Sequence, residues 1–114
     1  MQHPPVGRLH VLTDFHFQQR LSHAGLAAAA VAGGADTIQF RQKAGTTRDR
    51  LANLLPTVGV CRASGTLCLV DDHLDLALAL SDNTVALERG EVIHTGASAA
   101  LRDDFDLRRK VLWL

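Results

Sequence analysis

A chain of 114 residues has room for one domain with a modest core. Its 12 basic and 12 acidic residues cancel, which removes the electrostatic case for nucleic acid or a membrane surface as partner. The longest apolar run, residues 26–31, is too short to span a bilayer. Met1-Gln2-His3-Pro4-Pro5 lacks the basic and apolar regions of a signal peptide, so a cytoplasmic location is expected.

Residues 8–13 read as a short apolar strand ending in Thr13-Asp14. Residues 19–32 read as a helix, with Leu21, Ala24, Ala28 and Val31 at helical spacing. Gly33-Gly34 stops it, because glycine adopts the left-handed backbone that ends helices. A strand over residues 35–40 follows. Thr46 is placed as N-cap of a second helix, with Asp49 at the capping-box position. Pro56 predicts a break or kink in that helix, since an interior proline costs about 3 kcal/mol. Ser64-Gly65 closes it. Residues 66–70 read as a buried strand with Asp71-Asp72 at its end, and residues 74–80 as a short apolar helix with Asp72 and Asp75 as a cap pair. Strands over 84–87 and 91–94 flank Arg89-Gly90 as an antiparallel hairpin. A helical piece over 98–102 and another starting at Asp103 or Asp104 complete the chain. Arg108, Arg109 and Lys110 suit the negative end of the last helix dipole. Leu107, Val111 and Trp113 are expected to cover the core.

Strand followed by helix, three times over, argues for an α/β fold with a parallel sheet and helical crossovers. In such folds the chemistry gathers at the C-terminal strand ends, here Thr13-Asp14, the run Gln39 to Lys43, and Asp71-Asp72. Spacing of two places Gln39, Arg41 and Lys43 on one strand face, with Ile38 and Phe40 on the other. An amide, a guanidinium and an ammonium side by side suit an anion such as phosphate or pyrophosphate. The alternative is a frayed strand end with solvated charges. Asp72 reads as a helix N-cap and Asp14 as a turn residue. His16 and His23 have no third ligand and are placed on the surface, whereas His10 is placed as a packed, hydrogen-bonded histidine. Cys61 and Cys68 have no metal-ligand spacing and read as reduced, packing thiols.

Three segments carry a family resemblance. They are Leu9-His10-Val11-Leu12-Thr13-Asp14, then Gly33-Gly34-Ala35-Asp36-Thr37-Ile38-Gln39-Phe40-Arg41-Gln42-Lys43, then Leu69-Val70-Asp71-Asp72-His73-Leu74-Asp75-Leu76-Ala77. In order and spacing, residues 8–80 resemble the thiamine phosphate synthase and TenI family. The resemblance implies a (βα)8 barrel and the coupling of a pyrimidine pyrophosphate to a thiazole phosphate. It implies that Gln39 contacts the pyrimidine, that Arg41 and Lys43 hold the pyrophosphate, and that Asp72 binds Mg2+. Asp71 falls in the same substrate site, but the family commonly has asparagine there, and an acid repels the anion that an asparagine would hold. The family's second magnesium-binding acid, its later phosphate loops and the TenI histidine have no counterpart in this sequence. The expected fold is therefore a partial (βα) barrel-like unit of three βα repeats, followed by a β-hairpin and short C-terminal helices.

The tail, from about residue 69, is similar to the C-terminal end of ATP-binding cassette ATPases of the branched-chain amino acid and urea importer type. The residues concerned are Val70-Asp71-Asp72-His73-Leu74, Val85-Ala86-Leu87-Glu88-Arg89-Gly90-Glu91-Val92-Ile93, Gly96 and Ala99-Ala100-Leu101. That resemblance puts Asp72 at the switch-histidine position, with His73 one residue late. No phosphate loop is present in the sequence, so the tail does not bind and hydrolyse ATP by itself. Both resemblances pass through residues 69–80.

Two functional expectations follow. One is a truncated synthase-like domain over 1–114, with a synthase-like segment at 8–80 and a tail at 81–114, acting on a small pyrophosphate or phosphate substrate. The other is a non-catalytic mosaic fragment, or a partner-dependent remnant of a transporter ATPase, that self-associates or pairs through an exposed sheet edge.

Overall fold

The computed structural model describes residues 7–15, 18–71 and 74–112. The elements run β1 (His10–Leu12), α1 (His23–Ala32), β2 (Thr37–Phe40), α2 (Thr47–Ser64), β3 (Leu67–Val70), α3 (Leu74–Leu80), β4 (Asn83–Glu88), β5 (Glu91–Ala97), α4 (Ser98–Asp103) and α5 (Phe105–Leu112). The chain divides into two compact units at Asp71/Asp72.

In the first unit β1, β2 and β3 form a parallel sheet in that order. This is the α/β unit expected from the strand–helix alternation. The central strand β2 is buried on both sides, with Thr37, Ile38 and Phe40 enclosed and Gln39 half-buried. Ala27, Ala35, Ile38 and Cys61 form the core, with Val11, Ala30, Val31, Val60 and Cys68 packed against it. The two cysteines are free thiols, as read from the sequence. They are hydrogen-bonded to each other, which together with burial pushes the Cys68 thiol up from its ordinary pKa.

Capping chemistry explains the helix limits. α1 starts at His23, four residues later than the apolar spacing predicts. The Gln18 side chain takes both backbone groups of Leu21, which are then not offered to a helix. Ser22 becomes the N-cap and accepts from the Gly25 N–H at 3.0 Å. α2 carries the predicted capping box: Asp49 N–H donates to Thr46 Oγ1, and Thr46 N–H donates to Asp49 Oδ2. These bonds hold the Asp49 carboxyl below its ordinary pKa. Gly65 ends the helix with φ +68°.

Pro56 does not break α2, contrary to the sequence expectation; the helix is continuous from Thr47 to Ser64. The Thr57 hydroxyl donates to Asn53 O at 2.8 Å, adding a bond beside the one the proline cannot make. Leu54, Thr57 and Cys61 are buried along the same helix. Tertiary burial and caps at both ends offset the proline's local cost.

Two histidines are placed opposite to expectation. His10 is exposed, because β1 is an outer strand of this sheet. His23 is fully buried rather than on the surface. It lies between Phe15 and Phe40, with ring centroids 4.2 and 4.7 Å away, and its Nδ1 is hydrogen-bonded to Thr13 Oγ1 at 2.6 Å. The lack of a third metal ligand suggested a surface position, but a buried histidine between two aromatic rings needs no metal. His16 and Trp113 lie outside the described residues.

In the second unit β4 and β5 pair antiparallel, with Glu88 opposite Glu91. Arg89 and Gly90 both have positive φ, 51° and 82°. This is the turn whose twist matches a two-residue hairpin. Leu78, Ala86, Leu101 and Val111 form a second core with Leu107 against it, so α3 packs with the tail. Buried Ser98 joins the pieces through Ser81 Oγ at 2.7 Å and Thr84 Oγ1 at 2.6 Å. Asp104 Oδ1 accepts from Leu107 N–H, as an acid at the start of the last helix should.

Two stability measurements test this account. Thr46→Ala should lower the unfolding free energy by about 1 kcal/mol in denaturant titration, through loss of the cap. The second concerns His23, whose pKa burial lowers, with the Asp14 charge opposing. The unfolded chain then binds the proton more readily, so the stability contributed by neutral His23 is full above about pH 6.5 and is lost as pH falls through the folded value. Between pH 7 and 5 the melting temperature should fall, and His23→Gln should flatten that slope; identical slopes would refute the assignment.

Candidate functional site

The site is assembled by backbone pairing just beyond the strands. Thr13 N–H donates to Gln39 O at 3.0 Å, and Asp71 N–H donates to Phe40 O at 3.1 Å. Each bond carries the parallel register one step past a strand end. The C-terminal ends of β1, β2 and β3 are thereby brought level, and the residues that follow them meet.

Arg41 sits at that meeting point. Its Nε is 3.8 Å from Asp14 Oδ2 and 3.7 Å from Asp71 Oδ2. The three side chains are only 33, 27 and 33% exposed, for Arg41, Asp14 and Asp71 respectively. Arg41 is therefore not a fully solvated charge. Both separations exceed the 2.7–3.2 Å range usual for an N–H···O bond. The carboxylates therefore neutralise the guanidinium without accepting from its Nε, which has no hydrogen-bond partner among the described residues. Arg41 N–H points to Thr13 Oγ1 at 3.4 Å, so the hydroxyl that holds His23 also meets this segment.

The strand-face argument for Gln39, Arg41 and Lys43 holds only in part. Only Gln39 lies in β2, which ends at Phe40; Arg41 and Lys43 are in the loop before α2. A loop at this place is still well held. Arg50 donates from Nε to Gln42 O at 3.0 Å and from Nη2 to Lys43 O at 2.6 Å. Asn53 Nδ2 donates to Gln42 Oε1 at 2.8 Å. The first turns of α2 thus fasten the segment that carries the cations. Lys43 itself is exposed, as an ammonium waiting on solvent or an anion would be.

Of the expected site residues, the structure joins Arg41 and Asp71, with Gln39 two residues before Arg41 and half-buried in β2. Asp72 lies outside the described residues. Among the described residues no group of three or more His, Cys, Asp and Glu side chains is arranged to hold a metal ion. Asp14 was read as a turn residue and proves to be an ion-pair partner of Arg41. Its position at the end of the neighbouring parallel strand was the available signal. The tethers from Arg50 and Asn53 left no such signal, since a charged or amide residue in a first helical turn is commonplace.

Comparison with known proteins identifies the family. The family described as thiamine monophosphate synthase, TMP-TENI, matches residues 9–105. That span includes β4 and β5, so residues 69–105 of the tail likened above to ATP-binding cassette ATPases match the synthase family, and the likeness to those ATPases finds no support. A thiamine-phosphate synthase from Salinibacter ruber is 54% identical over 82 residues, which is 72% of this chain and 36% of that protein. One from Chloroflexus aurantiacus is 35% identical over 78 residues, 68% of this chain and 36% of the relative. One from Methanoregula boonei is 41% identical over 85 residues, 74% of this chain and 39% of the relative. The chain thus spans little more than a third of the length of these curated relatives. With a match covering most of its residues, on the strand ends that carry the charged cluster, the chain belongs to the thiamine monophosphate synthase (TMP-TENI) family.

Proposed function

We propose that this chain binds the pyrophosphate of a thiamine-phosphate synthase reaction, in which a pyrimidine pyrophosphate is coupled to a thiazole phosphate and pyrophosphate leaves. The observation that carries this reading is Arg41, a guanidinium placed at the junction of three parallel strand ends with a third of its side chain exposed. Gln39 contacts the pyrimidine, Arg41 and Lys43 take the pyrophosphate oxygens, and Asp71 borders the same guanidinium. A departing pyrophosphate gathers negative charge. Cations already held in place, as Arg41 is by its loop tethers, lower that barrier without reorganising.

Asp72 would hold a Mg2+ ion, whose charge offsets that of the leaving pyrophosphate. The donor chemistry fits. Asp71, the residue before it, presents a one-third-exposed carboxylate at the end of β3. Magnesium is commonly held by one or two carboxylates together with substrate phosphates.

Titration calorimetry with magnesium pyrophosphate tests the reading. The wild-type chain should bind. Arg41→Ala should weaken binding by about tenfold or more, the scale of one charge-assisted hydrogen bond. Lys43→Ala, at an exposed position, should cost about two- to fivefold. Absence of binding, or binding indifferent to Arg41→Ala, overturns the proposal. Formation of thiamine phosphate from the two substrates, lost in Arg41→Ala, tests the full reaction.

A further inference from the structure

We propose that Asp71, as resident counter-ion of Arg41, sets the site's affinity for anions. The inference rests on the anion-binding reading of Arg41 and goes beyond it, because it gives Asp71 a role that opposes the bound anion.

Three observations carry it. Asp71 Oδ2 lies 3.7 Å from Arg41 Nε, and Asp14 Oδ2 lies 3.8 Å from the same atom on another strand. Two carboxylates against one guanidinium leave the trio with one net negative charge. Second, neither carboxylate is within ordinary hydrogen-bond length of that Nε, and the Nε is a buried atom with no hydrogen-bond partner among the described residues. Its charge is met by the carboxylates while a third of the side chain stays exposed. Third, the Asp71 backbone is fixed by its N–H bond to Phe40 O at 3.1 Å. This bond places the residue, and so its Cβ, beside the end of β2.

An anion arriving at the exposed part of Arg41 gains a positive charge but meets the field of Asp71 close by. A small free anion has no other contact to offset this repulsion. A pyrophosphate ester with an organic part keeps the contacts that part makes elsewhere. The same penalty falls on both, so Asp71 lowers the affinity for each by a similar factor and leaves their ratio unchanged.

Asp71→Asn keeps the side chain's shape and removes its charge. In low-salt buffer containing EDTA, calorimetry with inorganic pyrophosphate should show this variant binding about tenfold more tightly than wild type. That is the scale expected for one unit charge a few ångströms away in partly solvated surroundings. About 0.5 M NaCl should shrink the gain, because screening acts on such an exposed pair. In an Arg41→Ala background the same substitution should gain less than about twofold, since the balanced guanidinium is gone. Equal or weaker binding by Asp71→Asn overturns the assignment, as does a gain of the same size without Arg41. When wild type binds in an Arg41-dependent manner and Asp71→Asn binds no tighter, only the role of Asp71 fails. When neither protein binds pyrophosphate, the anion-binding reading fails and takes this one with it.

Discussion

Two backbone hydrogen bonds just past the strands, Thr13 N–H to Gln39 O and Asp71 N–H to Phe40 O, are the constraint on which the site depends. Parallel strands place their C-terminal ends on one side of the sheet, and these bonds keep the ends level. Without them Asp14, Arg41 and Asp71 would be three charges on three loops. With them, both carboxylates stand within 4 Å of one guanidinium nitrogen. Partly buried charge is tolerated there because it is met by opposite charge.

The rest of the first unit serves this alignment. β2 is enclosed on both faces, so its register against β1 and β3 is set by packing as well as hydrogen bonding. α1 is tied to the end of β1 through His23 and Thr13, and the same Thr13 hydroxyl reaches the Arg41 backbone. α2 holds the cationic loop through Arg50 and Asn53. A loop would ordinarily make a poor platform for a preorganised cation; this one is fastened to a helix that is itself capped at both ends.

Much of the fold was legible because its signals are local. The capping box at Thr46 and Asp49, the positive φ of Gly65 and the Arg89-Gly90 turn all follow from the chemistry of a few neighbouring residues. Where a distant contact competes, the local signal fails. Pro56 argued for a break, yet burial of Leu54, Thr57 and Cys61 carries α2 through it. Apolar spacing began α1 too early, because nothing in it reveals that Gln18 would occupy both backbone groups of Leu21. His23 looked like a surface residue for want of a third metal ligand, yet it lies between two phenylalanines.

The charged cluster divides in the same way. Residue order alone determined that Gln39, Arg41 and Asp71 stand at or beside the ends of successive strands, because alternating strand and helix imposes a parallel sheet and a parallel sheet has one chemically useful edge. Only the tertiary structure decided which charge answers which. Asp14 is 27 residues from Arg41 and Asp71 is 30 residues on its other side, so no local pattern links them. Their pairing comes from lateral strand register, a long-range property that packing selects and sequence spacing does not encode.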